Sequence, residues 1–108
     1  MKLKDFNILL DDLLLSDNFD VNWPLMLRKS NMIGPLGLHE VEYDDDDKPY
    51  HIIRIANSHA YDQEAPGTLI HELIHCEQAE KGLPSDHDDF FMKRVCQLRK
   101  IYSDYSIL

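Results

Sequence analysis

The run from Thr68 to Lys81, TLIHELIHCEQAEK, constrains this chain more than any other stretch. It contains His71-Glu72-Leu73-Ile74-His75, an HExxH pattern, and reads as one helix. Residues four apart lie on the same helical face one turn apart, so two imidazoles there can grip a single metal ion while Glu72 projects beside it. Leu69, Ile70, Leu73, Ile74 and Cys76 make most of the remaining circumference apolar, so the first two turns are expected to be buried. Buried imidazoles and a buried carboxylate are costly unless paired or coordinated. That favours a ligating role over a solvated helix that merely carries these residues.

Zinc in a catalytic site takes three protein ligands and keeps a fourth position for water, whose pKa falls to about 7. His71 and His75 supply two ligands. Glu72 is too close in sequence to be an obvious third, but it is well placed as general base and then general acid. The third ligand is to come from His39, His51, His59 or His87. Gly82-Leu83-Pro84 stops the helix. Ser85, with Asp88 three residues on, then reads as a capping-box-like start of another helix with His87 in its first turn. On that helix His87 shares a face with Phe91, Val95, Leu98 and Tyr102, an apolar stripe that must turn to the core. The short connection carries His87 back towards the HExxH helix, so it is preferred as third ligand over a core histidine, with His59 the alternative.

The HExxH pattern, eleven intervening residues and then His87-Asp88-Asp89-Phe90-Phe91 together resemble the SprT-like (Spartan-type) zinc metallopeptidases, whose pattern is HExxH followed by HGxxF or HGxxW. The segment Ile52 to Asn57, and Thr68-Leu69-Ile70 leading into the motif, are similar to that family's strand and helix entry. The resemblance implies zinc bound by His71, His75 and His87, Glu72 as the catalytic residue, Phe91 as the following aromatic, and a protein or peptide substrate. It covers residues from about 50 to 96. Asp88 stands where the family has glycine. The zinc ribbon of many members is missing, because Cys76 and Cys96 are too few for a four-cysteine site.

At 108 residues the chain has room for one domain, residues 1–108, with one modest core. Twenty acidic against 11 basic residues give a net charge of −9, which argues against non-specific binding to a phosphate backbone. The family resemblance includes DNA-linked proteases, yet DNA binding is not expected here. Lys93, Arg94, Arg99 and Lys100 cluster on the last helix and are read as its solvated outer face. No apolar run approaches the length of a membrane span, and the N-terminus lacks a signal-peptide core, so a cytoplasmic location is expected. Both cysteines read as small buried residues in a reducing compartment.

Along the chain, Leu3, Phe6, Leu10 and Leu13 recur at helical spacing, so residues 3–15 read as an amphipathic helix with Leu13-Leu14-Leu15 towards the core, ended by Ser16-Asp17-Asn18. Asn22 reads as the cap of a second short helix to about Asn31, with Pro24 in its first turn. After a turn at Gly34-Pro35-Leu36-Gly37, Leu38 to Tyr43 alternates as a half-buried strand, and Pro49 to Asn57 is a β-branched strand. The two are expected to pair as a hairpin across Asp44–Lys48, DDDDK, a solvated acidic loop. That loop matches the recognition run of enteropeptidase, with Pro49 arguing against cleavage. One strand of this sheet is a candidate edge for a substrate peptide to join. Tyr61, Tyr102 and Tyr105 are candidate donors to an oxyanion, and Asp62, Asp88 and Asp89 are candidate partners for the ligating imidazoles.

The expected fold is a small antiparallel or mixed α+β sheet, with the HExxH helix packed on it and a C-terminal helix closing the site in a minimal zincin-like arrangement. The expected activity is zinc-dependent peptide-bond hydrolysis. The rival is a catalytically silent interaction module in which zinc supplies folding free energy.

Overall fold

The β-branched run of Ile52, Ile53 and Ile55 forms the middle of the structure. The computed structural model describes residues 2–57 and 64–107, so His59, Tyr61 and Asp62 lie outside the described residues. Its elements are α1 (Leu3–Leu15), β1 (Leu25–Ser30), β2 (Gly37–Tyr43), β3 (Pro49–Ala56), α2 (Ala65–Glu80) and α3 (Asp89–Ile101). They form a mixed α+β fold whose three-stranded sheet has the order β1-β3-β2. β3 pairs parallel with β1 on one side and antiparallel with β2 on the other.

The register fixes which side chains share a face. Leu27 pairs with Ile53, and His39 with Ile53 from the other side, while Gly37 pairs with Ile55 and Val41 with His51. Since side chains alternate along a strand, Gly37, His39, Leu27, His51, Ile53 and Ile55 all point to one face. That face is covered by helices: α2 packs on β2 and β3, α1 packs on β1 and α2, and α3 packs on the far side of α2. Ile53 and Ile55 join Leu69, Ile70, Leu73, Ile74, Phe91, Val95 and Leu98 in one core. Each such side chain contributes about 1.5–3 kcal/mol relative to exposure. The opposite face carries Met26, Leu38, Glu40 and Arg54, with Arg54 paired to Glu40 at 2.5 Å.

Residues 22–31, expected to be helical, instead contain β1. Leu, Met, Arg and Lys are good helix formers, but this run is short, and such runs are decided by tertiary pairing. Here the His51 N–H donates to the Pro24 carbonyl at 2.8 Å and the Asn57 N–H to the Ser30 carbonyl at 2.9 Å, which extends the ladder at both ends of β1. Asn22 caps nothing; its own N–H donates to Glu80 Oε1 at 2.8 Å.

The expected hairpin of β2 and β3 is present, and its acidic turn is closed by its own backbone. Asp44 N–H donates to the Lys48 carbonyl, and Asp44 Oδ1 accepts from Asp46 N–H and Lys48 N–H, all at 2.9 Å. Asp47 takes the left-handed conformation, with φ at 59°.

α1 has the expected bounds, with Phe6, Leu10 and Leu13 buried, but Leu15 at the end of the leucine run is 81% exposed. α2 ends as its Gly82-Leu83-Pro84 signal predicts. Gly82 has φ at 69°, its N–H donates to the Ala79 carbonyl, and the Leu83 N–H reaches the Gln78 carbonyl at 2.9 Å, the paired bonds of a Schellman end. α3 starts later than expected. Its N-cap is Asp88, whose Oδ1 accepts from the Phe91 N–H at 3.1 Å, so Ser85 is no cap and His87 lies in the loop before the helix. Asp88 has φ at −84°, a conformation open to any residue, so the glycine of the resembled pattern is not required there.

Of the four basic residues of α3, Lys93, Arg99 and Lys100 are exposed as expected, and Arg94 turns inward. Arg94 grips the buried Glu77 with both ends of its guanidinium, at 2.7 and 2.9 Å, and also donates to the Asn18 carbonyl. Arg99 donates to the Ile107 carbonyl at 2.9 and 2.7 Å. Cys96, expected to be buried, is exposed.

Candidate metal centre

Three histidine rings meet where α2 faces the loop before α3. His71 Nε2 lies 3.3 Å from His75 Nε2 and 3.2 Å from His87 Nε2, and the ligand atoms of all three residues lie within 4.8 Å of one another. A tetrahedral ion with metal–nitrogen bonds of about 2.0–2.1 Å places its ligands about 3.3–3.4 Å apart. The separations from His71 fit that edge, so the donor set suits such an ion.

The rings are held from below and from the side. Phe91 is fully buried, and its ring centroid lies 4.8, 4.9 and 4.5 Å from those of His71, His75 and His87. His87 itself is exposed, and its ring is placed by this aromatic contact rather than by burial.

Gln78, fully buried one turn after His75, settles the protonation of that ring. Its amide donates from Nε2 to the Asp86 carbonyl at 2.7 Å. A carbonyl only accepts, so the amide oxygen must face the other way, where it lies 2.7 Å from His75 Nδ1. His75 Nδ1 therefore carries the proton and its Nε2 presents a lone pair to the centre. Of the carboxylates expected behind the ligands, Asp88 and Asp89 do not take this place: Asp88 caps α3 and touches Gln78 at 3.4 Å, and Asp89 stands in the first turn of α3. Burial pulls the His75 pKa down, against the Gln78 hydrogen bond, which raises it.

Glu72 sits beside the rings, with Oε2 4.0 Å from His71 Nε2 and the residue only 5% exposed. Burial pushes its carboxyl up to about 7. A cation at the three imidazoles acts in the opposite sense, favouring the carboxylate. Space for Glu72 exists because β2 opens with glycine: a Cβ on Gly37 would stand 2.9 Å from Thr68 Cγ2 and 3.0 Å from Glu72 Oε2.

The centre opens into a cleft of about 540 Å³, walled by β2 through Gly37, Leu38 and His39 and by the loop through Ser85, Asp86 and His87. A second hollow of about 360 Å³ shares Gly37, His71 and Glu72 and continues past Thr68 to Ser106. Glu72 and His71 thus stand where the two hollows join, beside the outer strand β2.

His39 and His51, counted in the sequence among the histidines from which a third ligand could come, are part of a separate chain of contacts. Glu80 Oε2 accepts from His51 Nε2 at 2.7 Å, and His51 Nδ1 lies 2.9 Å from His39 Nε2. Burial opposes it, but the hydrogen bonds from His51 and from the Asn22 and Trp23 N–H groups hold the Glu80 carboxyl below its usual range. Burial, with His51 and His75 beside it, lowers His39 to about 4, so it is neutral. The alternation of β2 and the hairpin pairing were the available signals for this contact, since they set His39 diagonal to His51. Tyr102, a candidate oxyanion donor, has its hydroxyl engaged with Ser16 and Asn18, and Tyr105 stacks on it.

Comparison of the chain with protein-family models, with curated proteins and with solved structures finds no match.

Proposed function

We propose that this protein is a zinc-dependent peptidase of the SprT-like kind, hydrolysing peptide bonds in extended protein segments. The observation that carries the reading is that the Nε2 atoms of His75 and His87 each stand at a tetrahedral-edge distance from His71 Nε2, with a buried glutamate alongside. His71, His75 and His87 would hold the ion, and Gln78 orients His75. When bound, the ion supplies Lewis acidity, polarising a carbonyl and lowering the pKa of a water to about 7. Glu72 takes the proton from the attacking water and returns it to the departing amine. Its buried site suits a carboxyl that must change protonation near neutral pH.

The substrate enters as an extended strand. β2 is an outer strand of the sheet and lines the cleft, and the two hollows on either side of Glu72 offer room for residues before and after the bond to be cut. Main-chain hydrogen bonds to β2 would set its register. DNA association is disfavoured: the chain carries a net charge of −9, and Arg94 and Arg99 are committed to partners within the fold.

The test is Glu72→Gln. The parent should cleave an unfolded protein substrate and carry stoichiometric zinc. The variant should keep the zinc and lose turnover by a factor of about 10² or more. A parent that holds zinc, loses stability when it is removed and cleaves nothing would replace this reading with that of a zinc-stabilised interaction module.

A further inference from the structure

Behind the cleft wall lies a second group of donor atoms. His39 on β2, His51 on β3 and Cys76 on α2 each offer one ligand atom, and these lie within 4.8 Å of one another. His51 and Cys76 are fully buried, while His39 is half-buried and lines the cleft, which gives the group a way in. Cys76 lies four residues after Glu72 and four before Glu80, on the helix face that meets Gly37 at one end and His51 at the other.

Two further features are those of a ligating imidazole. The carboxylate of Glu80 accepts from His51 Nε2–H, which turns His51 Nδ1 to the group, where it can offer a lone pair. Glu80 is itself held by the N–H groups of Asn22 and Trp23, and the Trp23 ring stacks on His51 with centroids 5.1 Å apart. The donor set is thus two imidazoles and a thiol, with one imidazole braced from behind.

We infer that His39, His51 and Cys76 form a second metal site, one that takes a thiophilic divalent ion such as zinc or cobalt. A tetrahedral ion needs its nitrogen ligands about 3.3 Å apart, so His39 Nε2 and His51 Nδ1, now 2.9 Å apart, part by about half an ångström to admit it. On binding, Cys76 gives its thiol proton to solvent and His39 moves its ring proton from Nε2 to Nδ1. The ion then ties β2, β3 and α2 together behind the catalytic cleft. Without it, the same atoms make the hydrogen-bonded chain from Glu80 to His39 beside a neutral thiol. The site stands independently of the peptidase reading.

Cobalt separates the two centres, because only a thiolate gives a sulfur-to-cobalt charge-transfer band and the three-histidine centre has no sulfur. The full chain is used with Cys96→Ser, which removes the exposed thiol. After chelator stripping it is titrated with cobalt(II) and followed by absorption. The expected result is two bound equivalents, one of them carrying the charge-transfer band. Cys76→Ser should lose that band and one equivalent, and His87→Ala should lose the other equivalent and keep the band. His39→Ala, at a half-exposed position, should also lose the band and serves if Cys76→Ser fails to fold. A folded parent saturated with cobalt but showing no charge-transfer band overturns this site, and leaves the peptidase reading standing if His87→Ala still lowers the stoichiometry. A band that persists while His87→Ala leaves the stoichiometry unchanged keeps this site and removes the other.

Discussion

Replacing Gln78 by methionine should weaken metal binding without touching a ligand. The side chain is fully buried and makes two bonds of 2.7 Å, accepting from His75 Nδ1 and donating to the Asp86 carbonyl. Methionine keeps the volume and makes neither bond. Loss of a group that orients a ligating imidazole costs about 10–100-fold in affinity, or about 1.4–2.7 kcal/mol. The metal-free protein should lose stability as well, but less than two buried bonds would suggest. Asp86 is exposed, so its carbonyl finds water, and Ser85 Oγ, 3.4 Å from His75 Nδ1, can partner the stranded N–H. That leaves about 1–3 kcal/mol. Chelator competition gives the affinity and urea unfolding of the stripped protein gives the stability. Gln78→Glu divides the two roles: it still accepts from His75, so affinity should stay near the parent's, but it cannot donate to Asp86. If Gln78→Met binds metal within about twofold of the parent while unfolding earlier, the tautomer argument is wrong and Gln78 is only a packing residue.

Arg94→Met strands the Glu77 carboxylate in the core with the Asp20 N–H as its remaining partner, so thermal or urea unfolding should show a loss of about 3–5 kcal/mol; a change under about 1 kcal/mol would mean Glu77 is rehydrated. Gly37→Ala pushes its methyl against Thr68 Cγ2 and the carboxyl end of Glu72. Turnover should fall about tenfold through a misplaced Glu72, with zinc content and stability nearly unchanged. Equal losses of zinc and activity would show that the strand, not the carboxylate, had moved.

The HExxH helix was legible because its apolar positions and its glycine-proline stop are local signals, and so were α1 and the hairpin around Asp44–Lys48. β1 was not, because its partner lies some two dozen residues away in a parallel ladder, and nothing local distinguishes Leu25–Ser30 from a turn of helix. The start of α3 was ambiguous for a different reason. Ser85 and Asp88 are both good caps, and the choice fell to Asp88, in a loop held to α2 where Gln78 fastens the Asp86 carbonyl. His71 and His75 could be paired from their spacing and His87 from its short connection to their helix, whereas Gln78 and the environment of Cys76 depend on how α2 rotates against the sheet. Arg94 was misjudged because a guanidinium on a polar helix face looks solvated until a buried carboxylate is found beneath it.

The acidic hairpin turn has a practical side. Asp-Asp-Asp-Asp-Lys is the run that enteropeptidase reads when removing purification tags, and a processing enzyme of this type needs its target drawn out as an extended strand. Here Asp44 folds the run back on itself and Pro49 opens the next strand, so the cutting reagent meets a knot of closed backbone rather than a usable thread. A tag joined through the same five residues should therefore come off the native protein with no second cut in its middle, the closed turn and Pro49 both guarding the internal run.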